Sequence, residues 1–329
     1  MKISIATLHE HLVAVLSKNM SPEHATAVAD YFVWAEASGN KTQGIIKMTG
    51  PEPVQGVMPK YDMKIERDTK LSQLIDAGAN PAPLAARIGT DVAIEKAKAH
   101  GFGLVGIRNT FSSNGAQAFY AQKIAENDLI GIVCSRSPAA VSGFGSIDSL
   151  FGTNPIGFGF PTNNDPLVFD AATSAMTFYG LVLAKARGED IPEGIAIDHD
   201  GNFTTDPAEA MEGAILPFDK GYKGAGFGMM IEVLAGPLVA SAWIDNKTFK
   251  EEWGTLIMAI DPNLLVDATV FKTNVTAMID KIKASRTKDG GKIRIPGERA
   301  NELYKNVLAS GEVEIDDVIA EQIGIAKVQ

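Results

Sequence analysis

The sequence predicts an α/β domain flanked by a helical unit that both chain ends supply. Three observations lead there. Both ends carry apolar residues at helical spacing. Between them, helical stretches alternate with short β-rich runs, the arrangement that builds a sheet layered with helices. The 329 residues, 45% hydrophobic and 21% charged, are enough for one large or two ordinary domains with a buried core. The helical unit is expected to comprise 1–75 with 291–329, and the α/β domain 76–290.

The elements follow in order. Thr7 and Glu10 form a Thr-x-x-Glu capping box that predicts the head of a first helix. Ser21, followed by Pro22 and Glu23, marks a second helix start, and Ala27, Val28, Tyr31, Phe32 and Ala35 keep its spacing. A loop carrying Pro51, Pro53 and Pro59 comes next. A helix over Pro83–His100 feeds the apolar run Leu104–Ile107, and a helix over Gly115–Asn127 feeds Leu129–Cys134. Further strands are predicted at Ile156–Phe160, Leu167–Asp170 and Leu256–Ile260, with helices at Gly224–Trp243 and Asn274–Ser285. After Gly290 the chain returns to helices, Arg299–Ser310 and Ile315–Ile323.

Composition bounds the function. A net charge of −10 repels phosphate backbones and argues against a nucleic-acid partner. The dense basic stretch Lys281–Arg294 is broken by Asp289 and paired glycines, and reads as a solvated helix end and loop. Cys134 is the single cysteine, so no disulfide forms within the chain, in keeping with a reducing compartment. The start MKISIATLHEHL has no long apolar run and no stretch reaches the length of a membrane span. A cytoplasmic protein with no membrane partner is expected. No His, Cys or carboxylate cluster has metal-ligand spacing, so no metal is expected.

Gly101, Gly103 and Gly106 spell G-x-G-x-x-G. A dinucleotide-binding fingerprint leaves a strand and opens a helix; this one leaves a helix and enters a strand, so Gly101 is read as a helix-ending glycine. The stretch GYKGAGFGMM (221–230) has the right polarity. Free N–H groups at a helix start, the helix dipole and Lys223 favour an anion there, while close helix packing accounts equally for Gly224 and Gly228. The residues alone leave these two readings even. In VFDAATSAM (168–176) a strand ends in an aspartate, and Thr173 and Ser174 are placed to cap a helix or offer hydroxyls to a ligand. In LFGTNPIGFGFPT (150–162), Thr153, Asn154 and Pro155 form a turn whose asparagine can hold a carbonyl or amide group.

Taken in order, these stretches, with DHDGNFTTDP (198–207), ILPFDKGYKGAGFGMMIEVLAG (215–236) and IPGER (295–299), resemble the type-2 malate/L-lactate dehydrogenase family. That family also includes sulfolactate, ureidoglycolate, diketogulonate and cyclic-imine reductases. The resemblance implies a non-Rossmann, mixed seven-stranded sheet layered with helices, a helical unit from the termini, and a homodimer. It implies a nicotinamide cofactor, NAD or NADP, lying against Val168, Phe169, Asp170, Ala171, Ala172, Thr173 and Ser174, against Tyr222 and Lys223, and against Pro296, Gly297 and Glu298. It further implies a small substrate with a carboxylate, reduced or oxidised at the carbon beside that carboxylate: a 2-oxo or 2-hydroxy acid, or a cyclic imine.

The chain departs from the family where the chemistry is done. Relatives carry an Asp-Ser-His-Gly-x-x-Arg motif whose histidine donates the proton; here KTQGIIK (41–47) puts Gln43 at the histidine and Lys47 at the arginine. An Asn-Ser-x-His-x-Gly motif is replaced by NTFSSNG (109–115), with Ser113 near the histidine position. His9, His11 and His24 are expected to be solvent-exposed on helices, His100 to end a helix and His199 to lie in a polar turn. Lys47 keeps a positive charge for a substrate carboxylate, with Asn154 as a second substrate contact. The proton donor is then sought at Lys47, at Tyr120, or at a water held by Gln43 and Ser113. Three functions follow: a 2-oxo acid reductase with a relocated acid; an imine reductase, whose protonated substrate needs no acid; and a dinucleotide-binding relative without catalysis.

Overall fold

In the computed structural model, which describes residues 1–50, 53–244, 252–288 and 290–325, the chain opens with β1 (Lys2–Ser4), α1 (Ile5–Leu16) and α2 (Pro22–Ala37). Pro51 and Asp289 lie outside the described residues. Two 3₁₀ turns over Lys41–Met48 precede the hairpin β2 (Lys64–Asp68) and β3 (Ser72–Asp76). Then come α3 (Ala82–His100), β4 (Phe102–Thr110), α4 (Gln117–Ala125) and β5 (Ile130–Arg136). The middle of the chain holds β6 (Val141–Ser142), β7 (Ser149–Phe151), β8 (Ile156–Phe160), β9 (Leu167–Ala171), α5 (Phe178–Arg187), β10 (Ala196–Ile197), α6 (Pro207–Glu212) and β11 (Ala214–Ile215). It closes with α7 (Tyr222–Ala235), β12 (Trp253–Ile260), α8 (Ala268–Lys283), α9 (Glu298–Ser310), β13 (Glu312–Glu314) and α10 (Asp317–Gln322).

The large sheet has seven strands in the order β2-β3-β4-β12-β5-β8-β9. Only β3 and β4 run parallel; each other neighbouring pair is antiparallel. This is the mixed sheet the resemblance implied, and not the parallel sheet of a Rossmann domain. Helices α3 and α4 press on one face so closely that a Cβ at Gly103 would stand 2.1 Å from Ala93 O, and one at Gly159 would stand 2.1 Å from Ala121 O. On the other face, Ile231 and Ala235 of α7 bury Cys134 and Leu256. Gly101 ends α3 with φ +83°, so the G-x-G-x-x-G stretch is a helix stop followed by strand β4.

Several boundaries differ from expectation. Ser4 caps α1, accepting the Thr7 N–H at 3.0 Å, so the helix starts one turn before the Thr7–Glu10 box. Lys64–Asp76, grouped by sequence with the terminal helices, forms two strands of the large sheet; its alternation was masked by a charged, exposed edge strand. The chain ends do meet, through antiparallel β1 and β13, with Lys2 opposite Glu314. Helix α7 stops at Ala235, where Gly236 and Pro237 break it into a 3₁₀ turn.

Candidate active site

A cavity of about 250 Å³ lies between the loop after α2, the β4–α4 connection, the segment after β5, the end of β9 and the start of α5. Its polar wall includes Gln43, Lys47, Ser113 and Asp170, and its apolar wall includes Ala139, Ala140, Phe178, Tyr179 and Trp253. The fold brings together three of the four expected catalytic positions, Gln43, Lys47 and Ser113, and adds Asp170, which sequence had grouped with cofactor contacts.

The loop carrying Gln43 and Lys47 is held from α2. Glu36, buried on that helix, accepts the Ile45 N–H at 2.9 Å and the Lys41 ammonium at 2.9 Å. Burial pushes its carboxyl up, and the Lys41 charge opposes that shift. The Tyr31 hydroxyl donates to the Gln43 carbonyl at 2.8 Å and accepts the Ala116 N–H at 2.6 Å, tying two cavity walls together. Burial pushes this phenol far above the usual range. Lys47 is itself buried; its ammonium donates to Ser113 Oγ at 2.7 Å and lies 3.5 Å from the centre of the Tyr179 ring. Neither Tyr31 nor Glu36 stood out in the sequence, because both fit the spacing of a packed helix.

Asp170 sits near the end of β9, where its Oδ2 accepts the Ala118 N–H at 3.0 Å in the first turn of α4. Burial of the carboxyl outweighs these backbone hydrogen bonds and pushes it up to about 6. Part of the residue remains open to the cavity. A carboxyl raised to about 6 holds its proton below that pH and is ionised above it.

Other expected site residues are engaged elsewhere. Tyr120 is fully buried outside the cavity wall, donating to Asn114 O at 2.8 Å. Asn154, with φ +34°, donates to Gly228 O at 3.0 Å and to Glu232 at 2.8 Å, so its amide links a turn to α7, and it does not line the cavity. The Thr173 hydroxyl donates to Asn154 O and that of Ser174 to Met176 O; Thr177, accepting the Gly180 N–H, is the residue that caps α5. His9 bonds Asp30 and His11 bonds Ile323 O, both partly buried where exposure was expected, and neither lines the cavity.

The helix start at Gly221–Lys223 is also partly filled from within. Asp219 Oδ1 accepts the N–H groups of Gly221 and Gly224, at 2.9 and 3.0 Å. A carboxylate already stands where the free N–H groups would draw a phosphate. Gly228 serves packing as well: a Cβ there would stand 3.1 Å from Thr173 Oγ1. Tyr222 is 65% exposed, with its ring edge-on to Phe144, and Lys223 is exposed. Gly297, at φ +82°, backs so closely on β9 that a Cβ would stand 2.8 Å from Val168 O. The Phe218 N–H bonds Thr173 O at 3.0 Å. The three stretches implied for the cofactor are thus contiguous: residues 168–174 run from the Gly297 turn, past the cavity at Asp170–Ala172, to the approach to α7.

The mixed, mostly antiparallel sheet sets this fold apart from a Rossmann domain, and its cavity places a buried cation on one wall and a carboxyl on another. Residues 3–324 match the family model described as malate/L-lactate dehydrogenase, and the chain belongs to that family of oxidoreductases, whose members use a nicotinamide cofactor. It is 36% identical over 321 residues to an L-sulfolactate dehydrogenase of Methanothermobacter thermautotrophicus, covering 94% of this chain and 91% of that one. It is 31% identical over 325 residues to a Delta(1)-pyrroline-2-carboxylate reductase of Ancylobacter novellus, covering 94% and 93%. Among solved structures, the sulfolactate dehydrogenase of Methanocaldococcus jannaschii superposes with a TM-score of 0.84 at 30% identity, covering 98% and 95%.

Proposed function

We propose that the protein transfers hydride between NAD(H) or NADP(H) and the carbon next to the carboxylate of a 2-oxo or 2-hydroxy acid. The observation that carries this reading is that Lys47 and Asp170 line one cavity. Lys47, held by Ser113 and Tyr179, binds the substrate carboxylate. Gln43 hydrogen-bonds the carbonyl oxygen and polarises it. The bound nicotinamide supplies or accepts the hydride. Asp170, protonated below about pH 6, gives its proton to the oxygen as the carbonyl is reduced, and in oxidation its carboxylate takes the hydroxyl proton. Asp170 thus fills the role that the missing histidine leaves vacant. Residues 168–174, Tyr222 and Lys223, and the Pro296–Glu298 turn form the cofactor track.

A second reading, cyclic imine reduction, draws on the same Gln43 and Asp170: a protonated imine needs no acid, and an ionised carboxylate stabilises its positive charge. The test is a spectrophotometric screen of NADH and NADPH oxidation with 2-oxo acids, cyclic imine carboxylates, and 2-oxo acid plus amine. Turnover of 2-oxo acids without imine activity supports the first reading, and the reverse supports the second. Cofactor binding without turnover of either class would establish a non-catalytic relative.

A homodimer and a cytoplasmic location complete the proposal. The outer side of α7 shows Phe227, Met229, Met230 and Val233 at 40–49% exposure, and α7 carries no charge other than Lys223 and the buried Glu232. A helix apolar on all sides is normally covered. The single cysteine, Cys134, is buried and free, which suits a reducing compartment. Among the described residues, no helix is long and apolar enough to cross a membrane. Light scattering tests the dimer, and Met230→Glu is expected to weaken it.

A further inference from the structure

We infer that the cavity selects substrates carrying one negative charge, the reacting carboxylate itself, and discriminates against dianionic acids of the same chain length. The inference rests on the reading of this cavity as the substrate site. Among the described residues, the charged side chains lining it are Lys47 and Asp170, one cation and one acid. Three other cations on the surrounding elements are held elsewhere. Lys41 bonds Glu36 and the Glu314 carbonyl, Arg136 bonds Glu232 and the Glu252 carbonyl, and Arg187 bonds Asp316. None of the three lines the cavity.

The remaining wall is neutral. Ala139, Ala140, Phe178 and Trp253 are apolar surface toward the cavity, and Asn40 and Thr42 offer dipoles but no charge. A carboxylate on Lys47 uses the single cationic group. A second carboxylate or sulfonate would meet no cation on this partly buried wall, whose rim at Ala139 is exposed, so nothing there offsets the hydration it loses. Above about pH 6 the Asp170 carboxylate adds repulsion. Malate and sulfolactate, after which relatives are named, each carry two anionic groups. Charge selectivity would therefore separate this chain from them.

The test compares acids matched in length: 2-oxobutyrate with oxaloacetate, and 2-oxovalerate with 2-oxoglutarate. The expected result is a kcat/KM at least about 100-fold higher for the monoanion of each pair, with the gap narrowed by Ala139→Lys. Calorimetric binding of 2-hydroxyvalerate and 2-hydroxyglutarate in the presence of oxidised cofactor reads the same selectivity without turnover. Tighter binding of 2-hydroxyvalerate supports the inference even if no 2-oxo acid is reduced, in which case the proposed reaction fails and the charge selectivity stands. Equal or tighter binding of the dianion, or no binding of either acid, overturns it.

Discussion

The Lys47 ammonium and the Ser113 hydroxyl, 66 residues apart in sequence, meet at 2.7 Å inside a buried wall. The contact joins the loop after α2 to the β4–α4 connection and fixes where a substrate carboxylate would dock. Lys47→Ala is expected to lower kcat/KM by about 10²–10³, mostly through KM, while Lys47→Arg retains part of the activity. Steady-state kinetics that show unchanged KM in the alanine variant would remove Lys47 from substrate binding.

Asp170 gives a signed pH profile. Carbonyl reduction needs the protonated carboxyl and should fall as pH rises through about 6, while oxidation of the hydroxy acid should rise over the same range. Asp170→Asn should lower kcat by about 10²–10⁴ and abolish that titration. A stability signature accompanies it. The folded carboxyl titrates above its ordinary value, so the stability it favours is full below pH about 4 and is lost as pH rises through about 6. Asp170→Asn, which can still accept the Ala118 N–H, should therefore raise the Tm at pH 8 relative to the parent and change it little at pH 4.

Position 43 discriminates between the two chemistries. Gln43→His would place an acid on the cavity wall, and is expected to raise reduction of 2-oxo acids more than that of cyclic imines. Parallel kcat values for both substrate classes check it; an equal effect on both would mean that residue 43 does not face the reacting oxygen.

Tyr120 separates burial from chemistry. Its hydroxyl reaches Asn114 O inside the core, so Tyr120→Phe should cost about 1 kcal/mol of stability and leave kcat near the parent value. Chemical denaturation and steady-state rates measure the two effects. A large fall in kcat with unchanged stability would return Tyr120 to the active site.

The buried pair Arg136–Glu232, at 3.2 Å, fastens β5 to α7 and also orders Asn154. Removing one partner leaves an unpaired buried charge, so Glu232→Ala should destabilise by about 3–5 kcal/mol. Loss of α7 docking would also disturb the cofactor track at Tyr222 and Lys223. Calorimetric unfolding and cofactor titration should therefore both respond.

Much of the fold was legible in the chain. Local signals placed the strands Ile156–Phe160 and Leu167–Asp170, the helix stop at Gly101 and the start at Ser21, because caps, glycines and periodicity act over a few residues. The edge strand β2 was not legible, since an all-exposed charged strand shows no alternation. Within the site, the resemblance to the family's motifs drew attention to Gln43, Lys47 and Ser113, and the strand-end aspartate drew it to Asp170 as a cofactor contact. The sequence equally drew attention to Tyr120, Asn154, Thr173 and Ser174, whose polar groups the fold commits to its own backbone and core.

The sequence by itself determined the element types and the family. Tertiary structure alone decided which polar groups face the cavity and which are consumed inside the protein. Hydrogen-bond satisfaction depends on neighbours distant in the chain, and so does the pKa of a carboxyl: burial at the β9–α4 junction, not its place in VFDAATSAM, raises that of Asp170.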